Sequence, residues 1–101
     1  YREFLNVDDL SSAIDFVIKN NISDNLLNVG SGYEISISEL VKKIQKVINF
    51  KGKIEFDNTK PDGNPRKLLD SSKLFNYGWK PKIELTQGIE QTYNWFIKNI
   101  N

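Results

Sequence analysis

Two arginines and one lysine are the side chains of this sequence best suited to binding an anionic ligand. Arg2 and Arg66 are the only arginines of the 101-residue chain, and Lys67 directly follows Arg66. An arginine matches a phosphate through two parallel hydrogen bonds, whereas a lysine offers a mobile point charge. Cations at two separated points of the chain could therefore hold a diphosphate between them, or they could be ordinary solvated surface side chains.

Asp62 lies in the loop between Lys60 and Lys67, beside two prolines and a glycine. A carboxylate can accept two parallel hydrogen bonds from the N1–H and the exocyclic amine of guanine, which adenine cannot supply. This would select the base of a nucleotide. The competing interpretation is that Pro61-Asp62-Gly63 is simply a favourable turn sequence.

Three further polar or glycine-rich motifs are interpreted as structural. Residues 28–32 read NVGSG, which lacks the G-x-G-x-x-G spacing of a dinucleotide site, and no helix starts on this motif, so a tight turn is predicted. Asp8 and Asp9 could form a carboxylate pair, but acids are common at helix N-termini and helix capping is favoured. Trp79, which follows Gly78 and lies two residues before Pro81, is predicted to bury its indole in the core.

The composition excludes several classes of chemistry. The chain has no cysteine and no histidine, so thiolate nucleophiles, disulfides and imidazole acid–base groups are absent. Fourteen basic residues nearly balance thirteen acidic ones, which does not favour nucleic acid or a membrane surface as partner. Without a membrane span or signal peptide, the default expectation is the cytoplasm. Because the chain begins at Tyr1 and not at methionine, we expect it to be a piece of a longer protein.

The apolar pattern predicts an α+β fold in a single domain covering residues 1–101. The predicted helices begin at Asp8, at a Ser36–Glu39 capping box, at Asp70 or Ser71, and at Thr86. The predicted strands and extended pieces are residues 3–7, 26–29, 34–36, 53–56 and 67–69. The first helix is expected to end at Asn20 and Asn21, the short third helix at Gly78, and Tyr93, Trp95 and Phe96 of the last helix are expected to pack. The strands are too short for an independent doubly wound sheet and resemble additions to a larger structure.

Several segments together resemble the carboxy-terminal part of GDP-L-fucose synthases, which are extended short-chain dehydrogenase/reductases of the epimerase/dehydratase branch. The segments are REFLNVDDL at 2–10, NVGSG at 28–32, ISISEL at 35–40, KPDGNPRKLLD at 60–70, GW at 78–79 and TYNWF at 92–96. The first two are widespread in the branch, whereas KPDGNPRKLLD is much more specific to fucose synthases. The resemblance covers essentially the whole chain.

The resemblance implies a role in making GDP-L-fucose from GDP-4-keto-6-deoxy-mannose, by epimerisation at C3 and C5 and reduction at C4 with NADPH. It implies that a Rossmann domain, absent from this chain, binds the cofactor and carries the catalytic groups. This chain would then supply the substrate-binding domain and no catalytic, cofactor-binding or metal-binding residue. By position, Arg2 resembles the residue binding the diphosphate–sugar region, Asp62 the nucleotide-binding aspartate and Lys67 a basic substrate-site residue, with Arg66 adjacent.

One position departs from the family pattern, and several alternatives stay open. Many relatives have histidine where this chain has Asn6, a site interpreted as structural. The chain could instead belong to another nucleotide-sugar epimerase, reductase or dehydratase, or it could be a free-standing interaction domain. The family implies a homodimer formed through Rossmann helices, so the sequence leaves the oligomeric state of this chain alone open, including a monomer.

Overall fold

The computed structural model describes residues 1–100, which form an α+β arrangement of four helices and two short strands. The helices are α1 (Val7–Lys19), α2 (Ile37–Ile48), α3 (Ser72–Tyr77) and α4 (Leu85–Asn99), and the strands are β1 (Arg2–Glu3) and β2 (Glu34–Ile35). The predicted fold class and the order of the four helices are confirmed. In this part of the chain, no helix combines the length and the apolar character that crossing a membrane requires.

Asn6 decides where the first helix begins. Its side-chain oxygen accepts a hydrogen bond from the backbone N–H of Asp8 at 2.8 Å, which is the capping contact of a helix N-terminus. The structural interpretation of this position is therefore confirmed. Because the cap lies at residue 6, the predicted strand 3–7 is shortened to β1 and the helix begins one residue earlier than predicted. The helix ends as predicted, with Asn21 in the left-handed conformation at φ 51°.

Helix α2 begins at the predicted capping box. The Ser36 hydroxyl accepts from the backbone N–H of Glu39 at 3.1 Å and lies 3.2 Å from the Glu39 carboxylate. The predicted cap of α4 was wrong, because α4 begins at Leu85 after Glu84 and has no side-chain cap. The Thr86 hydroxyl instead accepts from the Lys43 ammonium of α2 at 3.3 Å, where the two helices pack together.

Helix α3 is held at both ends by residues that the sequence singles out. The Asp70 carboxylate accepts from the backbone N–H of Ser72 at 3.0 Å, so Asp70 and not Ser71 supplies the side-chain cap. At the other end, Gly78 has φ 115°, a left-handed conformation that glycine adopts without steric cost. The next residue, Trp79, is thereby directed back toward α1.

The buried core is small and lies between α1 and α3. Ala13, Leu74 and Trp79 form it, and the Trp79 indole N–H donates to the Ser12 hydroxyl at 3.0 Å. The core position predicted for Trp79 is confirmed. Packing was predicted wrongly for two aromatic residues of α4, because Trp95 and Phe96 remain exposed and Tyr93 is only half-buried. Within residues 1–100, no element covers that face of the helix.

Asp9 is a buried acid that ties the loop before α4 to α1. Its two carboxylate oxygens accept from the backbone N–H groups of Lys82 and Ile83, each at 3.0 Å. The capping role predicted for Asp9 was therefore wrong, since the carboxylate serves a distant loop and Asn6 caps the helix. Burial favours this use because a buried carboxylate must find hydrogen-bond donors.

Two predicted strands do not form. Residues 26–29 and 53–56 have no strand assignment, and Leu26 is 79% exposed. A strand is defined by its hydrogen-bonded neighbour, and among residues 1–100 neither segment has one. Both segments have the apolar pattern of a strand, but no strand among residues 1–100 lies beside either of them to pair with it.

Candidate functional site

Strand β1 is the centre of the candidate site because it has a partner on each edge. On one edge it pairs antiparallel with β2, Arg2 lying opposite Ile35 and Glu3 opposite Glu34. On the other edge Arg2 forms a parallel bridge with Lys67, whose backbone N–H donates to the carbonyl of Tyr1 at 3.3 Å. The extended piece predicted around residue 67 thus lies directly beside Arg2, although 65 residues separate the two in sequence.

The Arg2 side chain lies against the loop that carries Asp62. Its Nη1 donates to the carbonyls of Tyr1 and Asn64, both at 2.7 Å. A Cβ on Gly63 would come within 3.3 Å of Nη2, so the absence of a side chain there leaves room for the guanidinium. Within residues 1–100, no carboxylate lies within 4.0 Å of the Arg2 guanidinium, so its charge is not neutralised locally.

The other predicted site residues are exposed and differ in their contacts. Arg66 donates from Nε to the carboxylate of Glu34 at 2.8 Å, so it is already engaged with β2. Lys67 follows it on the extended segment, and successive side chains of such a segment point to opposite sides. Asp62 lies two residues before Asn64, whose carbonyl accepts from Arg2. The structure therefore brings Arg2, Lys67 and the loop of Asp62 together, while Arg66 faces β2.

The site is an open surface and not an enclosed pocket. A cleft of about 610 Å³ lies between Phe4, Tyr33, Lys43 and the segment 81–86. A second cleft of about 540 Å³ is lined by Arg66, Gly32 and residues 68–72. Arg2, Lys67 and Asp62 line neither of these clefts. Among residues 1–100, no group of three acidic side chains is arranged to hold a metal ion.

Sequence reasoning missed Glu3, whose carboxylate links three parts of the site. Its Oε2 accepts from the backbone N–H of Gly32 at 2.7 Å, and its Oε1 accepts from that of Leu69 at 3.2 Å. It also fills the space beside Gly30, where a Cβ would lie 2.7 Å from the carboxylate oxygens. The turn predicted at residues 28–32 is therefore structural. No sequence signal marks Glu3, because its partners are backbone N–H groups of distant segments.

Comparison with known proteins identifies relatives of this chain. No protein-family profile matches the chain. GDP-L-fucose synthase 1 of Arabidopsis thaliana is 50% identical over 99 residues, which covers 98% of this chain and 31% of the relative. The chain thus spans about a third of the length of this relative, and the match lies in the carboxy-terminal part.

Solved structures give the same placement. A GDP-6-OMe-4-keto-L-xylo-heptose reductase from Campylobacter jejuni superimposes with a TM-score of 0.86 at 32% identity, covering 98% of this chain and 31% of that one. A GDP-mannoheptose C4 reductase from the same organism, solved with NADP bound, has a TM-score of 0.80 at 30% identity, covering 95% of this chain and 31% of that one.

Proposed function

The chain belongs to the carboxy-terminal part of the GDP-L-fucose synthase family of extended short-chain dehydrogenase/reductases, and from this premise we propose that it binds the GDP-sugar of such an enzyme. The reaction would convert GDP-4-keto-6-deoxy-mannose to GDP-L-fucose by epimerisation at C3 and C5 and reduction at C4 with NADPH. The observation that carries the proposal is the 50% identity to a fucose synthase over 98% of the chain. The convergence of Arg2, Lys67 and the Asp62 loop supports it.

The roles of the site residues follow from their charge and position. The Arg2 guanidinium and the Lys67 ammonium would bind the two phosphates of the nucleotide, since both come from neighbouring extended segments. The Asp62 carboxylate would accept hydrogen bonds from guanine. Arg66 would add positive charge through its Nη groups while its Nε holds Glu34. Anchoring the nucleotide at these points would fix the position of the sugar ring.

This chain would therefore contribute binding and orientation, while the rest of the enzyme performs the chemistry. Binding energy from the remote GDP group can be used to hold the sugar in a reactive geometry. We expect no NADPH contact from the turn at 28–32, because it lacks the dinucleotide spacing and no helix begins on it. We expect the cofactor and the catalytic groups in the other part of the enzyme, which we also expect to form its homodimer.

The proposal is tested by kinetics of the complete enzyme with GDP-4-keto-6-deoxy-mannose and NADPH. Arg2→Ala should lower kcat/KM by roughly 10- to 100-fold, the effect of losing one or two charge-assisted hydrogen bonds. Arg2→Lys keeps the charge but not the planar fork, so it should recover only part of the loss. Lys19→Ala removes an exposed cation that pairs with Asp15 on α1 and serves as the control. Unchanged kinetics for Arg2→Ala would refute the substrate-binding role.

A second candidate is reduction of a different GDP-linked keto-sugar, and the TM-score of 0.86 to a GDP-heptose reductase favours it. Both reactions need the same nucleotide anchor, so this chain would serve either one unchanged. The same assay with a GDP-4-keto-heptose in place of the deoxy-mannose substrate separates the two. Upstream residues with Ser, Tyr-x-x-x-Lys, Cys and His would favour the fucose synthase.

A further inference from the structure

Glu3 is neither exposed nor paired with a basic side chain among residues 1–100. Its carboxylate accepts two backbone N–H groups from separate parts of the chain, Gly32 at 2.7 Å and Leu69 at 3.2 Å. Hydrogen bonds to an ionised group are stronger than neutral ones and fix the donors more firmly. The carboxylate thus joins three segments of the chain: β1, the turn at 28–32 and the segment after Lys67.

The bond to Leu69 continues the pairing that places Lys67 next to Arg2. The Lys67 N–H donates to the Tyr1 carbonyl. If regular parallel pairing continued from there, the next N–H that the segment 67–69 donates would be that of Leu69, and its acceptor would be the backbone carbonyl of Glu3. The structure shows this donor on the Glu3 carboxylate instead. The side chain therefore takes the place of the backbone acceptor and keeps residues 67–69 attached to β1 beyond the bridge.

We infer that Glu3 is a positioning residue for substrate binding, which sets the spacing between the Arg2 guanidinium and the Lys67 ammonium; the inference rests on the proposed function. Arg2 and Glu3 are successive residues of one strand, so their side chains leave it on opposite faces. Glu3 does not need to contact the nucleotide. It acts by fixing the segment from which Lys67 projects.

The neighbouring charges fit this role. Glu3 lies directly opposite Glu34 in the antiparallel pair, and two like charges in that position repel each other. The ion pair between Arg66 and Glu34 at 2.8 Å offsets the repulsion and leaves the Glu3 carboxylate available for the backbone N–H groups. Lys67 and Arg66 are thus adjacent residues with separate tasks, one toward the ligand and one toward β2.

Gly30 provides an independent way to disturb the same contact. An added Cβ would lie 2.7 Å from both Glu3 carboxylate oxygens, which is closer than nonbonded atoms approach. Gly30 has no positive φ, so alanine is sterically acceptable to its own backbone. Gly30→Ala should therefore displace the carboxylate without removing its charge.

The test uses the complete enzyme with GDP-4-keto-6-deoxy-mannose and NADPH. Glu3→Gln keeps the shape but turns one acceptor into a donor, so one of the two N–H groups loses its partner. We expect the KM for the GDP-sugar to rise about tenfold, with kcat changed by less than about twofold and the KM for NADPH unchanged. A purely structural role would lower the thermal midpoint and leave the KM for the GDP-sugar as it was.

The double variant and a matched control complete the test. Gly30→Ala should raise the same KM, and the Glu3→Gln/Gly30→Ala pair should show clearly less than the product of the two effects, because both act on one contact. If Glu3→Gln does not fold, the KM of Gly30→Ala for the GDP-sugar still tests the role of the Glu3 carboxylate. Asp24→Asn removes a carboxylate charge that binds Tyr77 and Lys73 and should leave this KM unchanged.

Two different failures can be told apart. An unchanged KM in both single variants, together with an impaired Arg2→Ala enzyme, would overturn the role of Glu3 and leave the proposed function intact. An unchanged Arg2→Ala enzyme would refute the proposed function itself. A KM increase of the same size in Asp24→Asn would also overturn the inference, since it would show that any lost carboxylate has this effect.

Discussion

On the two extended segments of the site, successive side chains point to opposite sides and make different contacts. Arg2 turns toward the Gly63–Asn64 loop, while Glu3 turns toward Gly32 and Leu69. Arg66 binds Glu34, and Lys67 leaves the same segment on the other side. A shift of one residue in the pairing register of either segment would exchange the sides to which these side chains point. The register of β1 with its two neighbours is therefore as important for the site as the identity of the cations.

Asp62→Asn should weaken the preference of the complete enzyme for guanine. The amide presents only one acceptor where the carboxylate presents two, so one of the two donors of guanine loses its partner. Competitive inhibition by GDP and by ADP measures the effect, and we expect the GDP/ADP preference to fall by roughly tenfold. Asp57→Asn, at an exposed carboxylate that accepts from Thr59 in the adjoining loop, is the control. An unchanged preference would contradict the assignment of Asp62.

The pair Tyr77–Asp24 should make stability depend on pH at both extremes. The Tyr77 hydroxyl donates to Asp24 at 2.6 Å and, with Lys73, holds the pKa of Asp24 below its ordinary 3.8. The pair also raises the pKa of Tyr77 above its ordinary 10.0, chiefly because its hydroxyl proton is bound to the Asp24 carboxylate. The carboxylate contribution is thus complete above pH 3.8 and is lost as the pH falls through the lowered pKa. The hydroxyl contribution is complete below pH 10 and is lost as the pH rises through the raised pKa.

Urea unfolding of the wild type and of Tyr77→Phe from acid to alkaline pH measures this dependence. The difference between the two proteins should be largest near neutral pH and should shrink at both ends of the range. When Tyr77→Phe is compared with its parent in an Asp24→Asn background, the difference in stability should no longer change at acid pH, because no carboxylate remains at residue 24 to titrate. A difference that is constant from pH 3 to pH 11 would rule the pair out as the cause.

At the scale of elements, the caps explain which predictions succeeded. Ser36, Asp70 and Gly78 act on backbone groups within three or four residues, so the sequence contains all the information that these helix ends need. The strands at 26–29 and 53–56 need a partner that no local pattern specifies. The bridge between Arg2 and Lys67 spans most of the chain, and its exact register could not be read from spacing.

The candidate site could be taken from the sequence only in part. The charge and donor geometry of Arg2, Lys67 and Asp62 follow from residue types, because they belong to each residue alone. The substrate-binding roles of these residues come from the family resemblance and stay predictions. The role of Glu3 was not readable, since its partners are backbone N–H groups that lie 29 and 66 residues away. Asp9 was misassigned for the same reason, since its partners lie 73 and 74 residues away.

Asp9→Asn should destabilise the fold by about 1–3 kcal/mol, the cost of leaving one buried N–H group without an acceptor. The substitution loosens the loop 82–83 from α1, so the effect should appear as a lower urea midpoint of the isolated chain. Asp8→Asn makes the same chemical change on the preceding, exposed residue and should shift the midpoint much less. Equal shifts would show that helix-dipole charge, and not the buried contact, is what Asp9 supplies.

The whole molecule is open for its size. Its Cα radius of gyration is 16.4 Å, whereas a compact domain of this length has about 13 Å. Its accessible surface is 8080 Å², against roughly 5,900 Å² for a compact protein of the same mass. The excess includes large apolar side chains, among them Ile18 at 69% and Leu26 at 79% exposure. Helix α4 adds Trp95 to this surface, and the fully buried core is correspondingly small.

This shape predicts that the isolated chain binds a hydrophobic dye while it is still folded. Exposed apolar side chains such as Ile18 and Leu26 offer contact area to anilinonaphthalene sulfonate, so its fluorescence should rise in the absence of denaturant. Ile18→Ser with Leu26→Ser should reduce that fluorescence and leave the helical circular dichroism unchanged, because neither side chain contributes to the core. Leu74→Ala is the contrasting variant: it removes a fully buried side chain, costs about 2–5 kcal/mol and should unfold much of the chain. If the folded wild type gave no dye fluorescence, these side chains would have to be covered in solution, most simply by self-association, and sedimentation would then show an oligomer.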